Sequence, residues 1–249
     1  MTARVNFLDT DFDVWSHGEI HDWIASRDAG SRFAYIVTPN VDHMVRLANS
    51  DDDIRLAYAE ADLCICDSRI LRGLGRVLGV QLSTVPGSDI VADLFKLLLD
   101  DGDRVCLIGG SGSHAASLQQ RFPRLVVLHH GPPMGLRHNR AARAAAIEFA
   151  AQAAARVTLL AVGSPQQELI AREMAADGRV RGTALCIGAS VEFLIGVQTR
   201  APLLLQRAGL EWSWRLITEP RRMARRYLLE GPKIAPLALR WWWRERVRS

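Results

Sequence analysis

Residues 33–67 have the sequence FAYIVTPNVDHMVRLANSDDDIRLAYAEADLCICD, in which two apolar runs, FAYIVT and ADLCIC, stop abruptly at polar residues. Runs of this length, rich in Val, Ile and Tyr, are typical of strands buried on both faces. The segment between them has helical period and begins at Asn40, a residue suited to a helix N-cap. This pattern predicts a β-α-β unit in which Thr38, Asn40 and Asp67 open on the same edge of a parallel sheet.

An acidic residue at that edge has two interpretations. A carboxylate such as Asp67 in a ligand crevice can act as a general base. Asp and Asn residues after strands also serve simply as turn residues and helix caps. The spacing alone leaves both interpretations open.

The same alternation continues along the chain to about residue 190. Further buried strands are predicted at RVCLIGG (104–110), LVVLHH (125–130), RVTLLAVG (156–163) and TALCIG (183–188), with helical segments between them. This order predicts an α/β fold: a doubly wound, Rossmann-like, mostly parallel sheet of roughly six strands. Residues 4–13 predict a short strand or hairpin ahead of it. We expect residues 1–200 to form this core and residues 201–249 to form a basic helical appendage.

Composition excludes several classes of protein. A hydrophobic fraction of 49% over 249 residues is that of a globular protein. All four cysteines lie in apolar runs, which favours buried thiols in a reducing compartment, and no Cys/His spacing predicts a metal site. The first residues, MTARVNFLDTDFD, do not resemble a signal peptide, and no apolar run is long enough to span a membrane. These observations predict a cytoplasmic location.

The positive charge is concentrated at the C-terminal end. Residues 200–249 carry eleven Arg and one Lys against four Glu, whereas the preceding residues have a net charge of −4. Such a segment predicts an anionic partner: a membrane surface, a nucleotide phosphate or nucleic acid. Trp beside Arg is typical of the water–lipid boundary, which favours the membrane. The predicted membrane contacts are Arg226, Arg240, Trp241, Trp242, Trp243 and Arg244. The alternative is a helix that packs on its own domain or on a partner subunit.

A glycine-rich turn follows the predicted strand at residues 104–110. Gly109 and Gly110 run into a helix, and free backbone N–H groups at a helix N-terminus can bind phosphate. A close-packed turn explains the same glycines, and the full dinucleotide fingerprint is missing. A nucleotide-binding oxidoreductase therefore stays open as an alternative. Pro165 and Glu168 suit the start of another helix.

Taken in order, the motifs resemble the WecG/TagA/CpsF glycosyltransferases. The matching segments are Thr38-Pro39-Asn40, Asp67, Gly87-Ser88-Asp89, Ile108-Gly109-Gly110, Gly163-Ser164-Pro165-Gln166-Gln167-Glu168, Arg200-Ala201-Pro202, Leu210-Glu211-Trp212 and Glu219-Pro220-Arg221-Arg222. The resemblance covers about residues 5 to 230. The chain departs from the family pattern at Ser68, where Gly is often found, at Thr84, where Arg is common, and at Ser190-Val191-Glu192-Phe193, where a Gly-Phe-Asp type sequence is usual.

The resemblance implies an inverting, metal-independent transferase without a cofactor. Such an enzyme moves N-acetylmannosamine, glucuronic acid or another hexose from a UDP-sugar to a polyprenyl-pyrophosphate-linked glycan at the inner face of the plasma membrane. Asp67 would be the general base, with Thr38 and Asn40 near the transferred sugar. The donor site would include Gly109, Gly110, Gly163, Pro165, Gln167, Glu168 and Gly188, and the phosphates would meet Arg215, Arg222 and Arg225.

Partners implied in this way are the UDP-sugar, the lipid-linked glycan and an anionic membrane surface, with no nucleic acid. A homo-oligomer stays open. A different class of function also stays open: a non-catalytic, membrane-peripheral scaffold of a polysaccharide assembly complex.

Overall fold

A six-stranded parallel sheet forms the centre of the protein. The computed structural model describes residues 4–198, 201–202, 204–205 and 211–248. A hairpin of β1 (Arg4–Phe7) and β2 (Thr10–Asp13) is followed by the sheet strands β3 (Ala34–Val37), β4 (Leu63–Cys64), β5 (Arg104–Gly109), β6 (Val126–His130), β7 (Val157–Ala161) and β8 (Thr183–Cys186). The strands lie in the order β4-β3-β8-β7-β5-β6, and each neighbouring pair is parallel. The predicted α/β class and the predicted hairpin are confirmed.

Helices connect the strands as the alternating pattern predicts. They are α1 (His17–Ala25), α2 (Val41–Leu47), α3 (Asp52–Ala59), α4 (Arg69–Val77), α5 (Gly87–Asp93), α6 (Gly112–Arg121), α7 (Arg140–Ala153), α8 (Gln166–Asp177) and α9 (Ser190–Leu194). A π-helical turn, Leu94–Leu98, continues α5, and a 3₁₀ turn, Leu136–His138, precedes α7.

Both faces of the sheet are covered, because successive side chains of a strand point to opposite faces. In β3, Tyr35 and Val37 belong to a core shared with α2, α3, α7 and α8. Ile36 between them belongs to a second core, shared with α1, α5, α6 and α9. The sheet is therefore doubly wound, as predicted.

The cysteines all lie in the first of these cores, the one that contains Tyr35 and Val37. Cys64, Cys66, Cys106 and Cys186 are all buried and free. Burial raises the pKa of the Cys106 thiol to about 12, which keeps it protonated. The prediction of buried thiols is confirmed.

The C-terminal helices include α10 (Glu211–Thr218), α11 (Pro220–Ala224) and α12 (Ile234–Arg248), with a π-helical turn, Arg225–Glu230, and a 3₁₀ turn, Gly231–Lys233, between α11 and α12. The inner face of α12 buries Ile234 and Trp241 in the same cluster as Phe7 of the hairpin, and Ala238 between them is also buried. The helical nature of this segment is confirmed, and a domain boundary at residue 200 stays a prediction. No helix in the described ranges is long and apolar enough to cross a membrane.

Candidate active site

Several predicted site positions lie at the carboxyl edge of the sheet. Thr38 follows β3, Gly109 ends β5, and Gly163 and Gly188 come just after β7 and β8. Asp67 comes just after β4, which pairs with β3. Because parallel strands end on one edge, the structure brings these five positions to the same edge of the sheet. This is the edge predicted from residues 33–67.

Asp67 is held at this edge by backbone contacts. Its own N–H donates to the carbonyl oxygen of Pro39 at 3.0 Å, which places Asp67 beside the residues that follow β3. Its Oδ1 accepts a hydrogen bond from the N–H of Gly87, the first residue of α5, at 3.1 Å. The side chain is half-buried. The carboxylate therefore has a defined orientation at the carboxyl edge of the sheet and is not packed in the core.

Thr38 contacts the same glycine. Its hydroxyl is buried and donates to the carbonyl oxygen of Cys186 at 3.2 Å, which ties the end of β3 to β8. A Cβ atom added to Gly87 would lie 3.1 Å from Oγ1 of Thr38. Asp67 and Thr38 thus both contact Gly87, and that position has room only for glycine without movement of its neighbours. The sequence marked Gly87 as part of a motif but did not show why a glycine is needed there.

Asn40 caps a helix, as its position predicts. Its Oδ1 accepts hydrogen bonds from the N–H groups of Asp42 and His43 at 3.1 and 3.4 Å. A contact of Asn40 with a sugar stays a prediction. From the same helix, Arg46 forms an ion pair with Asp42 at 2.9 Å and donates to the carbonyl oxygen of Ser164 at 3.1 Å. Helix α2 is thereby linked to the turn after β7.

The turn after β7 contains Gly163 and Pro165, two predicted donor-site residues. The Ser164–Pro165 peptide bond is cis, and the hydroxyl of Tyr58 on α3 lies 3.4 Å from Oγ of Ser164. Together with Arg46, these contacts fix the turn from the α2–α3 side.

The Gly109–Gly110 turn is close-packed. Gly109 has a φ of +97°, and a Cβ atom there would lie 2.6 Å from the backbone of Ala161 on β7. Nε2 of His129 lies 3.1 Å from the carbonyl oxygen of Gly109. The close-packing interpretation of this glycine is therefore confirmed, and phosphate binding by Gly109 and Gly110 stays a prediction.

Gln167 and Glu168, two further predicted donor-site residues, are both buried. Nε2 of Gln167 donates to Oε1 of Glu168 at 2.8 Å, and Oε1 of Gln167 accepts from the N–H of Gly188 at 3.0 Å. Burial raises the pKa of Glu168 above its ordinary value. Glu168 is fully buried, and a contact of Gln167 or Glu168 with the donor stays a prediction. Glu168 supports Gln167, which in turn fixes the turn after β8.

The predicted phosphate ligands belong to the C-terminal helices. Arg215 lies on α10 and Arg222 on α11, and their side chains are outside the described residues. Arg225 begins the π-helical turn before α12, and its exposed guanidinium lies 3.8 Å from Glu230. Arg46 of α2 contributes to a lowered pKa of Glu230, after Lys233 and Arg225. The segment that carries Arg225 therefore lies near the helix that Asn40 caps.

The predicted membrane contacts fall on different faces of α12. Trp241 is only 6% exposed, stacks edge-on against Phe7 at 5.1 Å and donates from Nε1 to Asn6 at 3.3 Å. Trp241 therefore packs against the hairpin, which leaves almost none of its surface for lipid, and its predicted membrane contact is wrong. Trp243 is 66% exposed.

The flanking residues of α12 also differ from one another. Trp242 is half-buried, with the guanidinium of Arg246 4.1 Å from its ring. Arg240 is exposed, and Arg244 forms an ion pair with Asp9 at 2.6 Å. The side chain of Arg226 lies outside the described residues. Membrane contact by Trp242, Trp243, Arg240 and Arg244 stays a prediction.

A doubly wound sheet with an oriented carboxylate and glycine turns along its carboxyl edge has the architecture of α/β proteins that bind ligands at this edge. Residues 5–248 match the model of the Glycosyl transferase WecG/TagA/CpsF family. The chain belongs to this family and is a glycosyltransferase of polysaccharide biosynthesis, which acts on a nucleotide-sugar donor and a glycan acceptor. Membership weighs against the oxidoreductase alternative.

Proposed function

We propose that the protein transfers a hexose from a UDP-sugar, with inversion, to a polyprenyl-pyrophosphate-linked glycan, and that Asp67 is the general base. The acceptor hydroxyl oxygen attacks C1 of the donor sugar while Asp67 takes the hydroxyl proton. The bond between C1 and the phosphate oxygen breaks, and UDP leaves with the bonding electrons. The hydrogen bond from Gly87 to Asp67 supports this role most directly, because it orients a half-buried carboxylate at the ligand edge.

The neighbouring residues have separate roles in this proposal. Thr38 and Asn40 position the transferred sugar beside Asp67. Gly163 and Gly188 supply turns against which the nucleotide lies, and Gln167 fixes the second of these turns through its hydrogen bond to the N–H of Gly188.

Negative charge on the leaving UDP needs a cationic partner. We assign this task to Arg215, Arg222 and Arg225, because a guanidinium can bind a phosphate through two hydrogen bonds. The segment carrying Arg225 packs beside α2, the helix that Asn40 caps. Among the described residues, no group of three or more His, Cys, Asp or Glu side chains could hold a metal ion. Metal independence is part of the proposal and is tested with a chelator.

The location proposed for the enzyme is the inner face of the plasma membrane. Leu239, Trp243 and Val247 are exposed and recur every four residues along α12, on the side away from the buried Trp241. Exposed Arg240 and Arg244 flank this stripe. An apolar stripe bordered by Arg suits the boundary between water and anionic lipid.

The decisive experiment is the Asp67→Asn variant, assayed with UDP-sugars and a synthetic polyprenyl-pyrophosphoryl acceptor. Asparagine retains an oxygen that can accept from Gly87, so the fold should be preserved, while the base is lost. We expect kcat to fall by about 10²- to 10⁴-fold, with the donor Kd unchanged and with no effect of EDTA on the wild type. Asp101→Asn, at an 86% exposed carboxylate before β5, is the matched control. A wild-type kcat in the Asp67→Asn enzyme would show that Asp67 is not the general base.

A further inference from the structure

A groove of about 410 Å³ runs between α12, the turn of the N-terminal hairpin, and helices α2 and α3. Its floor is apolar: Leu8, Ala48 and Leu237 keep accessible surface there, and the nearly fully buried Met44, Leu47 and Trp241 also belong to the lining. Its rim carries the guanidinium groups of Arg55, Arg240 and Arg244, together with Asp9 and Asp11. We call this feature the α12 groove. Its lining comes from segments almost 240 residues apart in the chain, so it exists only while α12 is docked.

Two of the three cations on the rim have no ion-pair partner among the residues that the structure describes. Within the described part of the chain, neither Arg55 nor Arg240 has a carboxylate at ion-pair distance. Arg55 donates to the backbone carbonyl oxygen of Ala48, at 3.3 Å. Arg244 is paired with Asp9, but both side chains are about half exposed, and such a pair contributes little to stability. The rim therefore offers guanidinium donors to an anion.

An apolar floor beneath a cationic rim fits one kind of ligand: an amphiphile with an anionic head. Guanidinium groups match phosphate in geometry and bind it through paired hydrogen bonds. The groove also borders the exposed Leu239–Trp243–Val247 stripe of α12, because Arg240 and Arg244 belong to both surfaces.

We propose that the α12 groove binds one phosphate-headed lipid. The phosphate lies between Arg55 and Arg240, and the first part of the lipid chain covers Leu8, Ala48 and Leu237. Such a lipid joins α3 to α12 and holds the C-terminal helix in its docked position. The site goes beyond the proposed reaction, since it does not depend on which sugar is transferred.

The test is calorimetric titration of the full-length protein with monomeric dihexanoyl-phosphatidylglycerol. Inorganic phosphate is a separate probe of the lipid's head group, and an uncharged dihexanoylglycerol is a separate probe of its acyl chains. We expect one bound phosphatidylglycerol per protein chain and no measurable binding of either separate probe. Tight binding of inorganic phosphate alone, or of an acidic peptide in competition with the lipid, would contradict the assignment to an amphiphile.

Charge variants distinguish binding of the lipid in the groove from its nonspecific attraction to a positively charged protein. Arg55→Gln and Arg240→Gln should each weaken binding about tenfold, the loss expected for one charge-assisted hydrogen bond. Arg246→Gln, on α12 but outside the groove, is the control of equal charge and should bind as the wild type does. Equal weakening in Arg246→Gln and Arg55→Gln would refute a defined site.

Two further variants test the groove without removing a cation. Ala59→Leu places a larger side chain in the groove and should weaken binding at unchanged net positive charge of the rim. Asp9→Asn frees Arg244 and should strengthen binding. Asp9 has a φ of +59°, a conformation that Asn also adopts readily, so the hairpin turn is retained. Unaltered affinity in both variants, with circular dichroism like that of the wild type, would overturn the proposal.

Discussion

Replacing Trp241 with alanine should loosen the attachment of the C-terminal helix, whereas the same change at Trp243 should not. Trp241 is 6% exposed and packs against Phe7, while Trp243 is 66% exposed. The two residues have the same chemistry and lie on the same helix, two positions apart. A difference between the two variants therefore reports on the burial of Trp241 and on its hydrogen bond to Asn6.

The size of the effect follows from the burial of the indole. Truncating a buried Trp to Ala typically costs about 3–5 kcal/mol, through lost burial and the cavity left behind. The hydrogen bond from Trp241 Nε1 to Asn6 is lost as well. In a chain of this length a loss of that size corresponds to a fall in Tm of roughly 6–20 °C. Trp243→Ala should change the free energy of unfolding by less than about 0.5 kcal/mol.

Thermal unfolding followed by circular dichroism measures the effect on the whole fold. If α12 detaches by itself, Tm changes less, so limited proteolysis of residues 229–233 is followed in parallel. We expect faster cleavage there in Trp241→Ala and wild-type rates in Trp243→Ala. Partition into anionic vesicles should show the reverse sensitivity, with the larger loss in Trp243→Ala. Equal Tm and equal cleavage in the two variants would refute the docking of Trp241 against the hairpin.

Two further predictions concern the carboxyl edge and the buried Glu168. Gly87→Ala should lower kcat about tenfold with little change in Tm. The new Cβ would lie 3.1 Å from Oγ1 of Thr38, so it displaces Thr38 and the N–H that orients Asp67. Gly73→Ala is the control, because a Cβ there meets nothing within 4 Å, and equal kcat in both variants would contradict the explanation. Burial raises the pKa of Glu168 above 4.5, so the folded state holds the carboxyl proton more tightly than the unfolded chain does. The stability that this protonation contributes is fully present below pH 4.5 and is lost as pH rises through the pKa of the folded state. The free energy of unfolding of the wild type, measured in urea relative to Glu168→Gln, should therefore fall as pH rises above 4.5; a difference independent of pH would contradict the raised pKa.

Many elements of the fold were predictable because their signals are local. A run of apolar residues that ends at Thr38-Pro39-Asn40 predicts β3 and the start of α2, and the structure contains both. The capping role of Asn40 depends only on the next few residues. The burial of the cysteines follows from the apolar runs that contain them.

The candidate site was predictable only in part. Parallel strands necessarily end on one edge, so Asp67 and Thr38 were expected to be near each other, and they are. The contact of both with Gly87 could not be predicted, because it depends on where α5 packs against the sheet. The burial of Glu168 could not be predicted either, because it depends on how α8 packs against the sheet, and a Glu near the start of a helix is usually exposed.

The sequence by itself determined the α/β class, the helix starts and the cationic character of the last fifty residues, because periodicity, turn chemistry and charge are properties of neighbouring residues. Only the tertiary structure decided the strand order β4-β3-β8-β7-β5-β6 and the docking of α12 on the hairpin. It also decided that Trp241 is buried while Trp243 is exposed. These features depend on which apolar surfaces meet across long separations in the chain, and the local pattern of a Trp-Trp-Trp segment is the same whichever of its faces is covered.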